Sequence, residues 1–228
     1  MKLHGGTGIK VEVVLFDLDG TLLDSTSQIS EAVALTRQKL QLPSANMKYL
    51  HSVIGLPAEY LFGDLSLQDN EIVSAVKSFR MYLENLKLDA SNLFESSTDL
   101  LYSLRTKGIR LAVATNKPSH LATKALLDSG ILGYFDFIVG AEDLPHKPSP
   151  AILNRAIDLL KSNPQVALMV GDRSEDIHAA KAAGVHSFGI AQGPHSSAEL
   201  LNAGAERVFP SILAFNLALK GNKLNEFI

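Results

Sequence analysis

The sequence predicts an α/β protein, in which a parallel β-sheet carries helices on both faces and an all-helical segment follows the first strand. From residue 93 onward, short apolar runs alternate with amphipathic helical patterns, which is typical of a parallel sheet covered on both faces. The first strand lies far earlier, at Val11–Phe16, where β-branched and aromatic residues dominate. Residues 24–91, which lie between these regions, contain no convincing strand.

The segment after the first strand is predicted to be a small helical bundle. Ser25 or Thr26 can cap a first helix that ends before Pro43, and further helices are predicted over 49–53 and from about 69 to 86. An insertion at this point lies over the strand ends, where open α/β sheets bind ligands. We therefore expect a lid or cap at 24–91, with a core formed by residues 1–23 and 92–228.

The rest of the chain supplies the other strands and their helices. Strands are predicted at 109–114, 135–139, 166–170 and 185–190, and helices at 99–107, 118–128, 148–160 and 175–183. Gly108 and Gly184 end two of the helices. Pro118 and Pro148 lie near the starts of two others, where the missing N–H costs little. No element is assigned beyond residue 190.

Composition restricts the function classes. Of 228 residues, 46 % are hydrophobic and 20 % are charged, as expected for a globular domain with a formed core. The net charge of −3 and the lack of any Lys/Arg block argue against a nucleic-acid partner bound through a basic surface. The chain has no cysteine, which excludes disulfides, thiolate catalysis and zinc–thiolate sites.

Location is predicted from what the sequence lacks. No apolar stretch approaches the roughly 20 residues of a membrane-spanning helix, so no membrane partner is expected. Residues 1–8 lack the apolar core of a signal peptide and are expected to form a short disordered lead-in. A cytoplasmic location is therefore expected. The sequence gives no indication of the oligomeric state.

Two aspartates directly follow the first strand. Residues at i and i+2 on a strand point to the same side, so Asp17 and Asp19 are expected to direct both carboxylates to one spot, and Gly20 allows a sharp turn just after them. Carboxylates at close range repel unless one is protonated or a cation lies between them. This pattern leaves two chemistries open, an acid–nucleophile pair or a divalent metal site, and an enzyme can use both.

Other strand ends supply complementary groups. Thr115 and Asn116 follow the second strand, Lys147 follows the third across a loop, and Asp172 follows the fourth, with Asp176 one helical turn later. Acids, a lysine and a hydroxyl at one edge of a sheet suit phosphoryl transfer, because phosphate needs cationic and hydrogen-bonding partners. Oxygen ligands favour Mg²⁺ as the metal.

The chain resembles the haloacid dehalogenase-like superfamily over nearly its whole length. Four motifs in order carry the resemblance: Asp17-Leu18-Asp19-Gly20-Thr21-Leu22, Thr115-Asn116, Lys147-Pro148 and Gly171-Asp172-Arg173-Ser174-Glu175-Asp176. The insert resembles the helical cap of the first type. Two further strings, Ala114-Thr115-Asn116-Lys117-Pro118 and Ile54-Gly55-Leu56-Pro57, look most like the phosphoglycolate phosphatase-like branch. The resemblance implies a Rossmann-like core and a Mg²⁺-dependent phosphatase of small phosphorylated metabolites.

The resemblance also implies roles for the residues that match. Asp17 is implied as the nucleophile that forms an aspartyl-phosphate. Asp19 is implied as the acid that protonates the leaving alcohol and then takes a proton from water. Thr115 and the backbone of Asn116 are implied to bind phosphoryl oxygens, and Lys147 to neutralise the developing charge.

Metal binding and specificity are implied in the same way. Asp17, the backbone carbonyl of Asp19, and Asp172 are implied as Mg²⁺ ligands. Asp176 is implied to orient a metal-bound water or the lysine, and Gly55 to mark a cap loop that reaches the substrate. The relatives commonly have a Pro-Gly turn where this chain has Glu95-Ser96-Ser97, at the return from cap to core.

Several alternatives stay open. Asp19 favours phosphate chemistry over dehalogenation, since a halide leaving group needs no proton. A sugar phosphomutase or an inorganic pyrophosphatase on the same scaffold, and a non-catalytic phospho-acceptor module, are the competing functions. The mutases usually carry an arginine soon after the glycine aligned with Gly55. This chain has no arginine at that place. Lys117 and Arg173 lie near the phosphate edge, and a solvated surface position is the default expectation for both.

Overall fold

A computed structural model describes residues 10–221, and its framework is one parallel six-stranded β-sheet. The strands are β1 (Val13–Phe16), β2 (Arg110–Ala114), β3 (Phe137–Val139), β4 (Ala167–Gly171), β5 (His186–Ile190) and β6 (Arg207–Phe209). They lie in the order β3-β2-β1-β4-β5-β6, and every neighbouring pair is parallel. The expected lead-in at 1–8 lies outside the described residues.

Helices flank this sheet and fill the insertion. They are α1 (Thr26–Lys39), α2 (Met47–Val53), α3 (Asp69–Asn85), α4 (Ser97–Thr106), α5 (Ser119–Asp128), α6 (Ala151–Leu159), α7 (Ser174–Ala183), α8 (Ser197–Ala203) and α9 (Ile212–Lys220). Within residues 10–221, no helix has both the length and the apolar character needed to cross a bilayer.

The sheet is buried on both faces because side chains of successive residues point to opposite layers. In β1, Val14 and Phe16 pack in one cluster with α4, α5 and α9, whereas Val13 and Leu15 pack in a second cluster with α6 and α7. All four side chains are fully buried. The predicted α/β fold, with a helical layer on each side of a parallel sheet, is confirmed.

Most elements begin and end within three residues of their predicted bounds. The last three, α8, β6 and α9, have no counterpart in the predictions. β6 is a three-residue edge strand, and no residue in it is fully buried. So short a run lacks the apolar signal by which the inner strands are recognised.

The helices α1, α2 and α3 enclose an apolar cluster of their own. Phe62 and Phe79 meet edge to face with ring centroids 6.5 Å apart, and Val33 packs in the same cluster. Within this bundle the buried Arg37 forms an ion pair with Asp64. This separate packing supports our proposal that 24–91 is a cap domain and that 1–23 and 92–228 form the core.

The two connections between cap and core run side by side. Leu23 and Leu93 form an isolated antiparallel bridge, and the N–H of Asp24 donates to the carbonyl of Asn92 over 2.8 Å. Immediately after this bridge, Ser96 adopts a left-handed backbone with φ of 67° at the start of α4. This backbone conformation strains an L-residue.

We predict that Ser96→Gly stabilises the protein, because glycine adopts this backbone at no steric cost. The strain removed is about 1 kcal/mol, so the free energy of unfolding in urea should rise by about that amount. The matched control is Ser103→Gly inside α4, which should lower it by about 0.5 kcal/mol. Equal effects of the two substitutions would contradict this assignment of strain.

Candidate active site

The site lies where the central strands end. β1, β2 and β4 are adjacent and parallel, so the residues that follow them, Asp17, Thr115 and Asp172, emerge at one edge of the sheet. β1 lies where the chain order reverses, and open α/β sheets bind ligands at such a switch point. All three side chains are buried.

Lys147 occupies the centre of this edge. Its Nζ donates to Asp17 Oδ1 over 2.8 Å, to Asp176 Oδ1 over 2.5 Å and to the carbonyl of Ala114 over 2.9 Å. These contacts use all three protons of the ammonium group. The lysine is 3 % exposed, so its orientation is fixed by partners rather than by solvent.

Burial and charge perturb this group of side chains strongly. Burial raises the pKa of Asp17 to about 6, against the opposing attraction of Lys147. Burial, followed by repulsion from Asp17, holds the pKa of Asp172 well above its usual range. Burial alone would lower the pKa of Lys147, but the attraction of Asp17 and Asp176 prevails and raises it. The carboxylates therefore lie where additional positive charge stabilises their ionised forms.

Three of the carboxylates fit a metal ion. Asp17, Asp172 and Asp176 each offer an oxygen, and these atoms all lie within 4.8 Å of one another. The cluster combines three acids with one ammonium group, and its donors are oxygens, which suit a hard divalent cation. The cluster can hold such an ion.

Glycines leave room for Asp172. A Cβ placed on Gly20, whose φ is 85°, would lie 2.5 Å from Asp172 Oδ2, and one placed on Gly193 would lie 1.9 Å from it. The hydroxyl of Thr21 donates to Asp172 Oδ1 over 2.7 Å. Nothing in the sequence pattern pointed to Gly193, because it lies in the loop after β5, beyond the predicted elements. Its position after a strand of the parallel sheet is the signal that could have indicated it.

Asp19 has partners different from those of Asp17. Its Oδ1 accepts from Lys117 Nζ over 2.6 Å and from the Ser25 hydroxyl over 2.5 Å. Lys117 is buried, so the expectation of a solvated position is wrong for it. The reason is its counterion, since a buried ammonium is stabilised by a carboxylate at this distance. Each aspartate of the first motif therefore has a lysine of its own.

Thr115 and Asn116 lie beside the lysine loop. The Thr115 hydroxyl accepts from the N–H of Lys117 over 3.3 Å. The Asn116 side chain accepts from the N–H of Lys147 over 2.9 Å and donates to the carbonyl of Gly55 over 3.1 Å. Asn116 therefore links the loop of the lysine to the cap.

Arg173 makes a second connection to the cap. It is 4 % exposed, and it donates to the carbonyls of Ser52 and Ile54 over 3.1 and 2.8 Å. The expectation of a solvated surface position is wrong here too, because the cap covers the guanidinium and supplies two of its acceptors, while Glu175 supplies a third. With the bond from Asn116 to Gly55, three hydrogen bonds from the core hold residues 52–55.

A cavity separates the cap from the strand ends. Its volume is about 500 Å³ including its open mouth. Asp19, Asn116 and Lys117 line it from the core, and Gly55 lines it from the cap. Of the predicted site residues, Asp17, Lys147, Asp172 and Asp176 form one cluster below this cavity, whereas Asp19 faces it.

Comparisons with known proteins agree with this architecture. The sequence profile of the haloacid dehalogenase-like hydrolases matches residues 14–190. A phosphoglycolate phosphatase of Colwellia psychrerythraea is 31 % identical over 92 % of this chain and 97 % of its own length. A phosphoglycolate phosphatase of Aliivibrio fischeri is 34 % identical over 80 % of this chain and 85 % of its own length.

Solved structures show the same likeness. The crystal structure of a predicted phosphatase from Clostridium acetobutylicum superposes with a TM-score of 0.82 at 27 % identity, covering 93 % of this chain and 99 % of that one. The chain belongs to the haloacid dehalogenase-like hydrolase family, and it is an enzyme of the phosphatase class.

We predict that Gly193→Ala weakens metal binding, because its Cβ would displace the carboxylate of Asp172. Mg²⁺ should raise the melting temperature of the unsubstituted protein and raise that of the variant far less. Gly133→Ala is the matched control, since a Cβ there meets nothing within 4 Å. A full Mg²⁺-dependent shift in Gly193→Ala would contradict the prediction.

We also predict that Arg173→Gln loosens the cap, because the shorter side chain cannot reach both cap carbonyls. Backbone amides of α2 and of residues 52–55 should exchange hydrogen several-fold faster. Arg155→Gln, at an exposed arginine, should leave their exchange unchanged. Unaltered protection in Arg173→Gln would show that other contacts hold the cap.

Proposed function

We propose that this protein is a Mg²⁺-dependent phosphomonoester hydrolase that acts on a small phosphorylated metabolite through an aspartyl-phosphate. The observation that carries the proposal is the placement of Asp17, whose carboxylate lies 2.8 Å from Lys147 Nζ and beside Asp172. A carboxylate that attacks an anionic phosphate needs positive charge around it. Lys147 supplies part of this charge.

In the first step, a carboxylate oxygen of Asp17 bonds to phosphorus as the bond from phosphorus to the ester oxygen breaks. Asp19 gives its proton to the departing alcohol. In the second step, a water oxygen attacks phosphorus, Asp19 takes a proton from that water, and the bond to Asp17 breaks to release inorganic phosphate. The two aspartates suit these roles because Asp17 lies in the buried cluster and Asp19 faces the cavity.

The surrounding residues bind the phosphoryl group and orient the reacting ones. The Thr115 hydroxyl and the N–H of Asn116 are the proposed donors to phosphoryl oxygens, and Lys147 faces the charge that develops on them. Asp176 holds Lys147 in this orientation over 2.5 Å.

The proposed metal site uses Asp17, Asp172 and the backbone carbonyl of Asp19. When bound, Mg²⁺ supplies positive charge that offsets the phosphate and the carboxylates. The buried oxygen donors and the raised pKa of Asp172 support this proposal. Both carboxylate oxygens of Asp176, the third acid of the cluster, already accept hydrogen bonds, one from Lys147 Nζ and one from the N–H of Arg173, which suits an indirect role.

The substrate class is proposed from the cavity and the relatives. The two relatives described above are named phosphoglycolate phosphatases, and the narrow space between cap and core, which Asp19 and Asn116 line, supports a small phosphorylated metabolite as the substrate. Gly55, with φ of 90°, lines the cavity, which supports a part for its loop in specificity. The cytoplasmic location stays a prediction.

We predict that Asp17→Asn abolishes phosphate release from 4-nitrophenyl phosphate, because the amide is not a nucleophile. Asp19→Asn should lower the rate by about 10²- to 10⁴-fold, the usual contribution of acid–base catalysis. Removal of Mg²⁺ by a chelator should abolish activity reversibly, and Asp99→Asn, at an exposed carboxylate, should change nothing.

Three outcomes would contradict the proposal. Full activity in Asp17→Asn would exclude this residue as the nucleophile. Isomerisation of a sugar phosphate without free phosphate would indicate a mutase, and a stable phosphorylated protein without turnover would indicate a phospho-acceptor module.

A further inference from the structure

Lys117 is a buried lysine to which the proposed mechanism assigns no part. Its side chain is 6 % exposed, and its Nζ lies 2.6 Å from Oδ1 of the equally buried Asp19. Within residues 10–221, this ammonium group makes no other hydrogen bond or ion pair. A buried ammonium is costly without a carboxylate beside it. The charge of Lys117 is therefore matched by Asp19, the proposed proton donor.

The core fixes the backbone of Lys117. The residue follows β2, its N–H donates to the Thr115 hydroxyl over 3.3 Å, and Pro118 directly precedes α5. On the other side, a Cβ placed on Gly140 would lie 2.4 Å from the Lys117 carbonyl, so the loop after β3 packs directly against this peptide. The ammonium group is therefore carried by a backbone that three core elements hold.

The two carboxylate oxygens of Asp19 differ in their contacts. Oδ1 accepts from Lys117 Nζ over 2.6 Å and from the Ser25 hydroxyl over 2.5 Å. In the described part of the chain, Oδ2 accepts no hydrogen bond. Asp19 also lines the cavity between cap and core. This arrangement leaves Oδ2 as the oxygen that is available to exchange a proton.

We propose that Lys117 is a positioning residue, which holds Oδ1 of Asp19 so that Oδ2 exchanges a proton with the leaving alcohol and then with water. This inference rests on the proposed function and adds a residue to it. Proton transfer requires hydrogen-bond distance between the donor and the departing oxygen, and an error of about 1 Å in such a geometry lowers a rate by about 10²-fold. Lys117 therefore contributes to the steps that use Asp19.

Esters with different leaving groups test this role. Phenolate leaves poorly without a proton, whereas 2,4-dinitrophenolate leaves without one. Lys117→Met keeps the length of the side chain and removes its charge. We expect it to lower kcat/KM by about tenfold or more with phenyl phosphate, and by less than about threefold with the dinitrophenyl ester. Because kcat/KM reports the step that forms the aspartyl-phosphate, this comparison isolates the use of Asp19 as an acid.

The second step provides an independent measurement. Asp19 also takes the proton from water, so Lys117→Met should hydrolyse the aspartyl-phosphate slowly. We expect a rapid burst of 2,4-dinitrophenolate followed by slow turnover. The effects of the two residues should not add, since Lys117 acts through Asp19. In an Asp19→Asn background, Lys117→Met should lower kcat/KM for phenyl phosphate by less than about twofold.

The chain has no cysteine, so the lysine can be restored chemically at one site. Lys117→Cys would be unfolded in urea, alkylated with 2-bromoethylamine and refolded, which gives a thioether analogue of lysine. Its activity with phenyl phosphate should return to within about threefold of the unsubstituted enzyme after the same procedure. Alkylation with 1-iodopropane adds an uncharged chain of equal length and should not restore activity. Lys107→Met, at an exposed lysine, should alter neither ester.

The outcomes distinguish this inference from the proposed function. If the unsubstituted enzyme releases phosphate from neither ester, the proposed function fails. If it hydrolyses both, but Lys117→Met lowers kcat/KM for both equally or for neither, only the role of Lys117 as a positioning residue fails. Should Lys117→Met not fold, Lys117→Arg decides, because it keeps a cation but displaces it. The selective loss with phenyl phosphate is expected there too, and equal kcat/KM losses would overturn the inference.

Discussion

Lys147 lies inside the fold with its ammonium group between the carboxylates of Asp17 and Asp176, and the rest of the site depends on this arrangement. A buried charge is costly unless its partners satisfy it, so each of these side chains requires the others. The cluster still contains more acid than base once Asp172 is included. That imbalance makes the edge suitable for a divalent cation and for the charge that a phosphoryl group brings.

The same cluster is connected to the cap. Asn116 bonds both to the backbone of Lys147 and to the carbonyl of Gly55. Arg173, next to Asp172 in the chain, bonds to two further cap carbonyls. Cap position and the geometry of the charged edge are therefore coupled through direct hydrogen bonds. Such coupling suits the proposed mechanism, in which the cap keeps bulk water away from the reacting groups.

Much of the site was predictable because the sheet is parallel. Once apolar runs are recognised as strands, the residues after each run must meet at one edge, which is how Asp17, Thr115 and Asp172 were found. Lys147 was harder to place, since a loop separates it from its strand, and the family resemblance implied its role. The fold followed from the same alternation, apart from the last elements, whose edge strand is too short to give a pattern.

The missed features depend on the tertiary structure. Lys117 and Arg173 are residue types that usually lie in solvent, and only the tertiary structure shows that both are buried and paired. Gly193 carries no local signal, because it is defined by the Asp172 carboxylate that approaches it. Sequence patterns report periodicity and strand ends, but they do not report what approaches from a distant segment.

The most direct test of the central claim is to trap the phosphorylated enzyme. A reaction with 4-nitrophenyl phosphate and Mg²⁺ would be quenched in acid, reduced with borohydride and digested, since borohydride converts an aspartyl-phosphate to homoserine. Peptide mass spectrometry should then find homoserine at Asp17, and only when substrate was present. Modification of another aspartate, or turnover with no modified residue, would contradict the role of Asp17 as the group that accepts phosphate.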